Sequence, residues 1–120
     1  MGRHSLELQR ACRLVVDTGI HALGWTRQQG IDYMKKNTFK SEESIKIDVE
    51  RYIMWPGQAC AYKVGEIKIK ELRKKAEKVL GDIFQLQDFH AAVLRCFGPL
   101  RILEECIDGY IAKAANLVTI

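Results

Sequence analysis

Regularly spaced helix signals constrain this chain more than any other feature. Apolar residues recur at helical spacing in six segments, and glycine, proline or a capping residue separates each segment from the next. No stretch of strict alternation between apolar and polar residues competes as a strand. The sequence therefore predicts an all-α fold, a bundle of about six helices, with helix content well above the roughly one-third average of globular proteins.

Capping residues and helix breakers give approximate bounds for the six segments. They run from Leu6 to Leu23, from Thr26 to Asn37, from Ser41 to the Pro56-Gly57 break, from Gln58 to Leu80, from Leu86 to Phe97 and from Pro99 to Ile111. Thr26 with Gln29 has the spacing of a capping box, and Gly24 suits a left-handed helix cap. No linker, repeat or low-complexity run divides the chain. We therefore expect residues 1–120 to form a single helical domain or partial domain.

Composition excludes several classes of protein. Hydrophobic residues make up 48% and charged residues 28% of the chain, a mixture typical of globular rather than disordered proteins. No apolar run approaches the roughly 20 residues of a membrane span, and no signal-peptide core follows Met1. The sequence thus predicts a cytoplasmic protein without a membrane partner. The four cysteines lack CxxC spacing and are expected to be reduced, partly buried thiols: Cys12, Cys60, Cys96 and Cys106.

Motifs for a self-sufficient catalytic site are absent from the sequence. It contains no HExxH, GxGxxG, Walker loop, GxSxG or paired-cysteine zinc spacing. His4, His21 and His90 are far apart, and no two of them form a helical i, i+4 pair. We therefore predict no metal ligands and no bound cofactor in this chain.

The first helix carries an unusual combination of apolar and charged residues. Apolar residues surround most of it, which favours either burial on several sides or a contact surface. Arg13, Asp17 and His21 lie along one stripe at i, i+4 and i+8. They are interpreted as an ion-pair ladder that positions a buried helix, or alternatively as a carboxylate that orients an imidazole. Gly19 indicates a close approach of another backbone or a local bend.

A second polar group brackets the Pro56-Gly57 break and consists of Arg51, Tyr52, Gln58 and Tyr62. Side chains at such a break can project into a cleft. Tyr62 is then placed to donate to a developing oxyanion, and Arg51 to clamp a carboxylate. Without further information the competing interpretation is favoured, in which both tyrosines are core aromatics and Arg51 pairs with an acid.

The fourth helix has a basic face on which acidic residues are interleaved at i, i+4 spacing, as in the pairs Glu66–Lys70 and Glu71–Lys75. This pattern is typical of a solvated helix. The net charge of +4 is also well short of that of a dedicated nucleic-acid binder. Nucleic-acid binding is therefore the least favoured function.

Three stretches resemble consecutive blocks of one known family: RACRLVVDTGIHALGWTRQQGIDYM at 10–34, ERYIMWPGQACAYKVGEIKIKELR at 50–73 and FHAAVLRCFGPLRILEECID at 89–108. This is the large, mostly bacterial family of domains of unknown function that resemble HExxH zinc metallopeptidases, some of them dipeptidyl carboxypeptidase-like. The resemblance covers nearly the whole chain. It implies a position in the C-terminal part of a larger helical fold, beyond the zinc motif of the family.

The resemblance also implies roles for the two polar groups. The RLVVDTGIH block carries Arg13, Asp17 and His21, and the RYI..PGQA..Y block carries the other four residues. By resemblance, Tyr62 and His21 are the catalytic candidates, while Arg51, Tyr52 and Gln58 bind substrate. Arg13 and Asp17 support them. The metal ligands of the family have no counterparts here, although zinc is expected in the full-length proteins.

Two functions follow from these observations. The first is a C-terminal helical segment of a metallopeptidase-like protein, inactive alone, which meets a peptide substrate only in the full-length context. The second is a stand-alone helical scaffold or interaction module. In either case the apolar first helix predicts self-association or dependence on the missing N-terminal half.

Overall fold

The computed structural model describes residues 2–118 of the chain. Most of them lie in six α-helices, and no strand is present in this range, so the all-α prediction is confirmed. The chain divides into two compact units, Met1–Val64 and Gly65–Ile120. Each unit has its own cluster of buried side chains. The assignment of the whole chain to one domain stays a prediction.

The helices occupy most of the described chain. They are α1 (Gly2–Leu23), α2 (Arg27–Asn37), α3 (Glu42–Met54), α4 (Ala61–Leu80), α5 (Leu86–Arg95) and α6 (Leu100–Val118). Short 3-10 turns at Gln58–Cys60 and Gly81–Ile83 precede and follow α4. In the part of the chain described here, no helix is long and apolar enough to cross a membrane.

Local capping explains where the helices begin and end. Both hydrogen bonds of the predicted capping box between Thr26 and Gln29 are present at the start of α2. The Ser41 side chain accepts a hydrogen bond from the N–H of Ser44 at 3.3 Å and caps α3. Gly57, in the break between α3 and α4, has a φ of 83°, in the left-handed region that glycine tolerates best.

The fifth helix is shorter than the sequence predicts. It ends at Arg95, and Cys96 has extended backbone angles that a helix cannot continue through. Phe97, the predicted end of this helix, therefore lies outside it and is 88% exposed. Phe89, within α5, is buried.

The N-terminal unit is built from α1, α2, α3 and the turn that precedes α4. Its buried residues come from all four segments: Cys12, Val16, Ile31, Met34, Ile45, Val49, Tyr52 and Ala59. A β-carbon at Gly30 of α2 would lie 3.1 Å from Cγ1 of Val16 in α1. The absence of a side chain at Gly30 thus lets these two helices pack closely.

Gly19 lies against the indole of Trp25. A β-carbon at this position would lie 2.5 Å from two ring carbons of Trp25. The N–H of Trp25 also donates to the carbonyl of Gly19 at 2.9 Å. The close contact at Gly19 is made by this indole, which the sequence did not predict and which the chain folds back over the end of its own helix.

The C-terminal unit contains α4 after Val64, together with α5 and α6. Its core consists of residues one helical turn apart on α4 and α6, joined by a single aromatic from α5: Leu72, Ala76, Leu80, Phe89, Leu103, Ile107 and Ile111. Leu72, Ala76 and Leu80 repeat at four-residue intervals on α4, and each of them is buried. Val79, the residue before Leu80, is 55% exposed.

Ion pairs cover the basic face of α4, as expected for a solvated helix. Lys70 pairs with Glu66 one turn earlier, the pair that the sequence predicts. Lys75 donates to Asp108 of α6 at 2.6 Å, although Glu71 of its own helix had been the predicted partner. Much of the basic character of this helix is therefore neutralised locally.

Two of the cysteines form a disulfide, which the sequence does not predict. Cys96 follows α5 and Cys106 lies in α6, and their Cα atoms are 6.3 Å apart. The turn between the two helices brings positions ten residues apart together, and sequence spacing alone does not reveal such a pairing. The prediction of reduced thiols is wrong for this pair. Cys12 and Cys60 are free thiols, as expected.

Candidate functional site

The two polar groups predicted from the sequence meet in the N-terminal unit. Arg13, Asp17 and His21 of α1 all interact with residues between positions 52 and 62. Their spacing of one turn turns each side chain toward the same neighbouring segment. The helical stripe was predictable, whereas the segment that it faces was not.

Asp17 fixes the Pro56-Gly57 break to the first helix. Its side chain is buried, and its two oxygens lie 3.0 and 3.2 Å from the N–H of Gly57, which donates to them. Burial raises the pKa of the Cys60 thiol, and the negative charge and hydrogen bond of Asp17 raise it further. Asp17 therefore anchors the turn that leads into α4, while its predicted supporting role at a catalytic site stays a prediction.

The ion-pair ladder proposed for the first helix does not form. No salt bridge joins Asp17 to Arg13 or to His21 in the described part of the chain. The main-chain N–H of Gly57 takes up both oxygens of Asp17 instead. Asp17 thus has a structural contact of another kind, a hydrogen bond between α1 and the Pro56-Gly57 break.

His21 is tied to the end of the third helix. Its Nε2 atom lies 2.9 Å from the main-chain oxygen of Tyr52. A carbonyl oxygen can only accept, so Nε2–H is the donor and the proton position on this nitrogen is defined. The imidazole is exposed at the surface, and no hydrogen bond joins it to Tyr62 within residues 2–118. Its catalytic role stays a prediction.

Arg13 lies against two tyrosine rings. Its guanidinium carbon is 5.5 Å from the ring centroid of Tyr52 and 4.9 Å from that of Tyr62. Arg10, one turn earlier, is 5.7 Å from the Tyr62 ring. Such cation–π contacts fix the orientation of an arginine without neutralising its charge. We call these four residues the arginine–tyrosine cluster.

Two polar atoms of the arginine–tyrosine cluster are buried without a hydrogen-bond partner. They are Nε of Arg13 and the hydroxyl of Tyr52. Burial raises the pKa of Tyr52 to about 12, and the negative charge of Asp48 adds to the effect. The Tyr52 hydroxyl is therefore neutral at physiological pH and keeps its proton as a donor.

Tyr62 is the accessible hydroxyl of the cluster. It is the second residue of α4, five positions after the Gly57 turn that Asp17 holds, and it is 53% exposed. The competing interpretation of two core aromatics therefore fits Tyr52, which is buried, and does not fit Tyr62. A hydroxyl on the first turn of a long helix has a rigid support.

Arg51 and Gln58 interact with each other across the break. Nε of Arg51 donates to the side-chain oxygen of Gln58 at 3.0 Å, and the guanidinium lies 5.7 Å from the ring of Trp55. Gln58 thus occupies one of the donors with which Arg51 was predicted to clamp a carboxylate. The predicted pairing of Arg51 with an acid is not present among the described residues. The substrate-binding role of both residues stays a prediction.

The residues of this chain do not fit a zinc site. Between Gly2 and Val118, no three histidine, cysteine or acidic side chains gather where they could share a metal ion. His21, the one histidine of the candidate site, already donates its Nε2 proton to a carbonyl.

An apolar groove lies at the other end of α1, and the sequence offered no signal for it. It has a volume of about 620 Å³ and is lined by Gly2, His4, Ser5, Leu8 and Phe39. Phe39, in the loop between α2 and α3, is 93% exposed. We call this feature the Phe39 groove.

Sequence and structure comparisons place the chain in a family. Residues 1–107 match the profile described as "Bacterial protein of unknown function (DUF885)". The chain belongs to the DUF885 family. No curated protein matches it significantly.

The chain is also similar to a solved structure. The chain is 43% identical to the crystal structure of the putative lipoprotein from Colwellia psychrerythraea and superposes on it with a TM-score of 0.90. The match covers 93% of this chain but 19% of that one. The DUF885 chain described here therefore spans about a fifth of the length of this relative.

Proposed function

We propose that this chain is the C-terminal helical region of a larger DUF885 protein with metallopeptidase-like hydrolase activity. In this role it lines the substrate cleft and supplies Tyr62 as a hydrogen-bond donor, and it is inactive by itself. The observation that carries the proposal is the exposed Tyr62 hydroxyl on a helix whose start is tied to α1 through Asp17 and Gly57. A rigidly held donor of this kind suits an oxyanion that develops when water adds to a peptide carbonyl.

The residues of this region limit what it can contribute to the proposed reaction. Arg13 and Arg10 hold the Tyr62 ring from one side, and Asp17 fixes the turn that precedes it. None of these groups can activate water by itself at neutral pH in the way that a metal site can. The zinc that the family resemblance implies would be bound by the larger part of the protein.

A Tyr62→Phe substitution in a longer DUF885 protein that carries the same sequence blocks tests the proposed function. Phenylalanine keeps the ring over which Arg13 packs and removes only the donor. We expect turnover of a peptide substrate to fall roughly 10²- to 10³-fold, the range for loss of one oxyanion donor, with little loss of stability. The matched control is Tyr33→Phe, since Tyr33 packs against Trp25 away from the arginine–tyrosine cluster.

A role in packing alone, in which the Tyr62 ring only holds the two arginines, makes the opposite prediction for the same variant. It expects near-normal turnover and near-normal stability, because phenylalanine keeps the ring. Turnover and urea unfolding measured on both variants separate the two interpretations. Equal turnover in the Tyr33 and Tyr62 variants would reject Tyr62 as an oxyanion donor.

The cellular location is also a proposal. The sequence predicts a cytoplasmic protein, but the disulfide between Cys96 and Cys106 favours an oxidising compartment, where such bonds persist. The matched relative is described as a lipoprotein, and a lipoprotein is held at a membrane surface by attached lipid. We therefore propose that the parent protein acts outside the reducing cytoplasm. Alkylation of thiols in intact cells, followed by mass spectrometry of the peptides containing these cysteines, tests this location.

The Phe39 groove supports a second candidate function, a helical interaction module. Leu8 and Phe39 are both exposed, at 41% and 93%, and face a concave apolar surface. Isolated apolar residues are common on surfaces, whereas an apolar groove is more typical of a contact site. Binding of a second copy of the chain would favour this function, and a Phe39→Ser substitution would then abolish the association.

A further inference from the structure

We propose that Arg10 and Arg13, which both pack on the ring of Tyr62, form a binding site for a single carboxylate group. The predicted carboxylate clamp was Arg51, but its Nε is engaged by Gln58 at 3.0 Å. The arginine–tyrosine cluster places two positive charges close together on one unit.

The charge of this cluster has no acidic partner within the described residues. Neither Arg10 nor Arg13 forms a salt bridge there, although nearby arginines do, such as Arg3 with Glu7 on the same helix. Asp17, one turn after Arg13, is turned toward Gly57. Two unneutralised guanidinium groups one turn apart on a helix attract an anion more strongly than either alone.

The cluster is also held in a fixed geometry before any ligand arrives. Arg13 packs on the rings of Tyr52 and Tyr62, and Arg10 also packs on the ring of Tyr62. Stacking fixes the plane of a guanidinium and leaves its terminal N–H groups free to form paired hydrogen bonds with a carboxylate. Because Arg13 is only partly buried, these terminal groups are the part that a ligand can reach.

Unpartnered polar atoms point to the same place. Nε of Arg13 and the Tyr52 hydroxyl are buried without a hydrogen bond, which leaves their desolvation uncompensated. Each such buried donor calls for an explanation, and an ion bound by the cluster is one. An anion held by the terminal N–H groups of Arg13 would lie against the guanidinium to which this Nε belongs.

The carboxylate has two possible sources, the C-terminus of a peptide or an acidic side chain from the rest of a longer DUF885 protein. The first source rests on the proposed function, because it makes the cluster part of the peptide-binding cleft. The second does not require any hydrolysis. Both have the same chemistry, which the chain can be tested for by itself.

The first experiment titrates the 120-residue chain, labelled with ¹⁵N, with N-acetyl-dialanine and with its C-terminal amide at constant ionic strength. We expect the acid to shift the Arg13 Nε–Hε and Tyr62 amide signals in a saturable way and the amide to have no effect. Arg10→Gln and Arg13→Gln should each weaken binding of the acid by roughly tenfold, as for loss of a hydrogen bond to a charged group. Arg10 is exposed, so its variant tests the site even if Arg13→Gln fails to fold.

Arg101→Gln provides the matched control. It removes the same charge from an arginine on α6 whose side chain is 88% exposed. An equal loss of affinity in the Arg101 and Arg10 variants would show a nonspecific charge effect and overturn the proposal. Identical shifts with the acid and the amide, or no shift with either, would overturn it as well.

A second experiment, on a longer DUF885 protein, distinguishes the two sources. If the peptide C-terminus is the ligand, Arg10→Gln raises KM for peptides with a free C-terminus by roughly tenfold and leaves KM for amidated peptides unchanged. If an acidic side chain is the ligand, the same variant lowers the melting temperature and leaves both KM values unchanged. Either pattern supports the carboxylate site, and a variant without either change contradicts it.

The two proposals fail in different ways. Carboxylate binding by the chain, together with a longer protein that hydrolyses no peptide, would reject the proposed function and leave the carboxylate site in place. Loss of turnover in the Tyr62→Phe variant without carboxylate binding by the chain would do the reverse.

Discussion

Gly19 and Gly65 both lie inside helices, yet a methyl group has opposite consequences at the two positions. A β-carbon at Gly19 would meet the Trp25 ring at 2.5 Å, whereas one at Gly65 would meet nothing within 4 Å. Sequence alone does not separate these cases. Whether a glycine inside a helix can be replaced by a larger residue depends on which side chain packs against it.

Gly19→Ala is expected to lower the free energy of unfolding by about 1–3 kcal/mol, because the indole must move out of a packed position. Gly65→Ala is the matched variant, and it should raise the same quantity by roughly 0.5–1 kcal/mol through helix propensity and a smaller unfolded-state entropy. Urea unfolding followed by circular dichroism measures both. A Gly19 variant as stable as the Gly65 variant would contradict the packing described here.

Asp17 offers a second test at the level of one residue. Asp17→Asn removes the charge and one of the two oxygens that accept from Gly57, in a buried position. We expect the free energy of unfolding to fall by about 1–3 kcal/mol. Asp32→Asn is the control, because Asp32 is exposed and accepts only from the Gln28 side chain of its own helix, so its effect should stay within about 0.5 kcal/mol. Equal effects in the two variants would mean that Asp17 does not anchor the break.

Among the helices, those bounded by local signals were the most predictable. The start of α2 depends on contacts between Thr26 and Gln29, three residues apart, and such contacts can be recognised in the sequence. The place of Val79 and Phe97 could not be recognised, because periodicity shows that a helix has an apolar side without showing how far a neighbouring helix covers it. The end of α5 depends on the turn into α6, which places Cys96 beside Cys106.

The disulfide between α5 and α6 predicts a redox-dependent stability. Its loop spans about ten residues, and closing a loop of this size restricts the unfolded chain by about 2–3 kcal/mol. Dithiothreitol should therefore lower the melting temperature of the chain. The Cys96→Ser, Cys106→Ser double variant is the control, since reductant should have no effect on it.

A thiol count gives an independent check on the same element. Under denaturing conditions without reductant, the oxidised chain should show two thiols, from Cys12 and Cys60, which are free in the structure. After reduction all four cysteines should react. Four reactive thiols before reduction would show that the bond does not form.

Across the whole molecule, the polar groups of the candidate site could be selected from the sequence, but their meeting could not. Arg13 and Tyr62 are 49 positions apart, and nothing in either helical pattern specifies the other as its neighbour. Arg10 was missed for a different reason. Its position three residues before Arg13 places both arginines on one side of the helix. The sequence does not show that the two side chains contact the same ring, that of Tyr62.

The exposed apolar residues predict association of the whole chain. We expect it to self-associate at high concentration and to bind a hydrophobic dye, because Leu8 and Phe39 form an accessible apolar groove. Light scattering measures the mass, and Phe39→Ser should reduce both association and dye binding. Leu117→Ser, which removes an exposed apolar residue near the end of α6, is the control. A stable monomer that binds no dye would contradict this prediction.

The bond between Asp17 and Gly57 also has a consequence for the order of folding events. It joins residues 40 positions apart, whereas helix caps such as that of Thr26 close over three. The chain between them must already be compact before this contact can form, so it belongs to the late part of the folding reaction. Loss of the Asp17 charge should then act mainly on the unfolding rate and leave the refolding rate nearly unchanged. On this view Asp17 determines how long the Pro56-Gly57 turn stays bound to α1 before the chain unfolds.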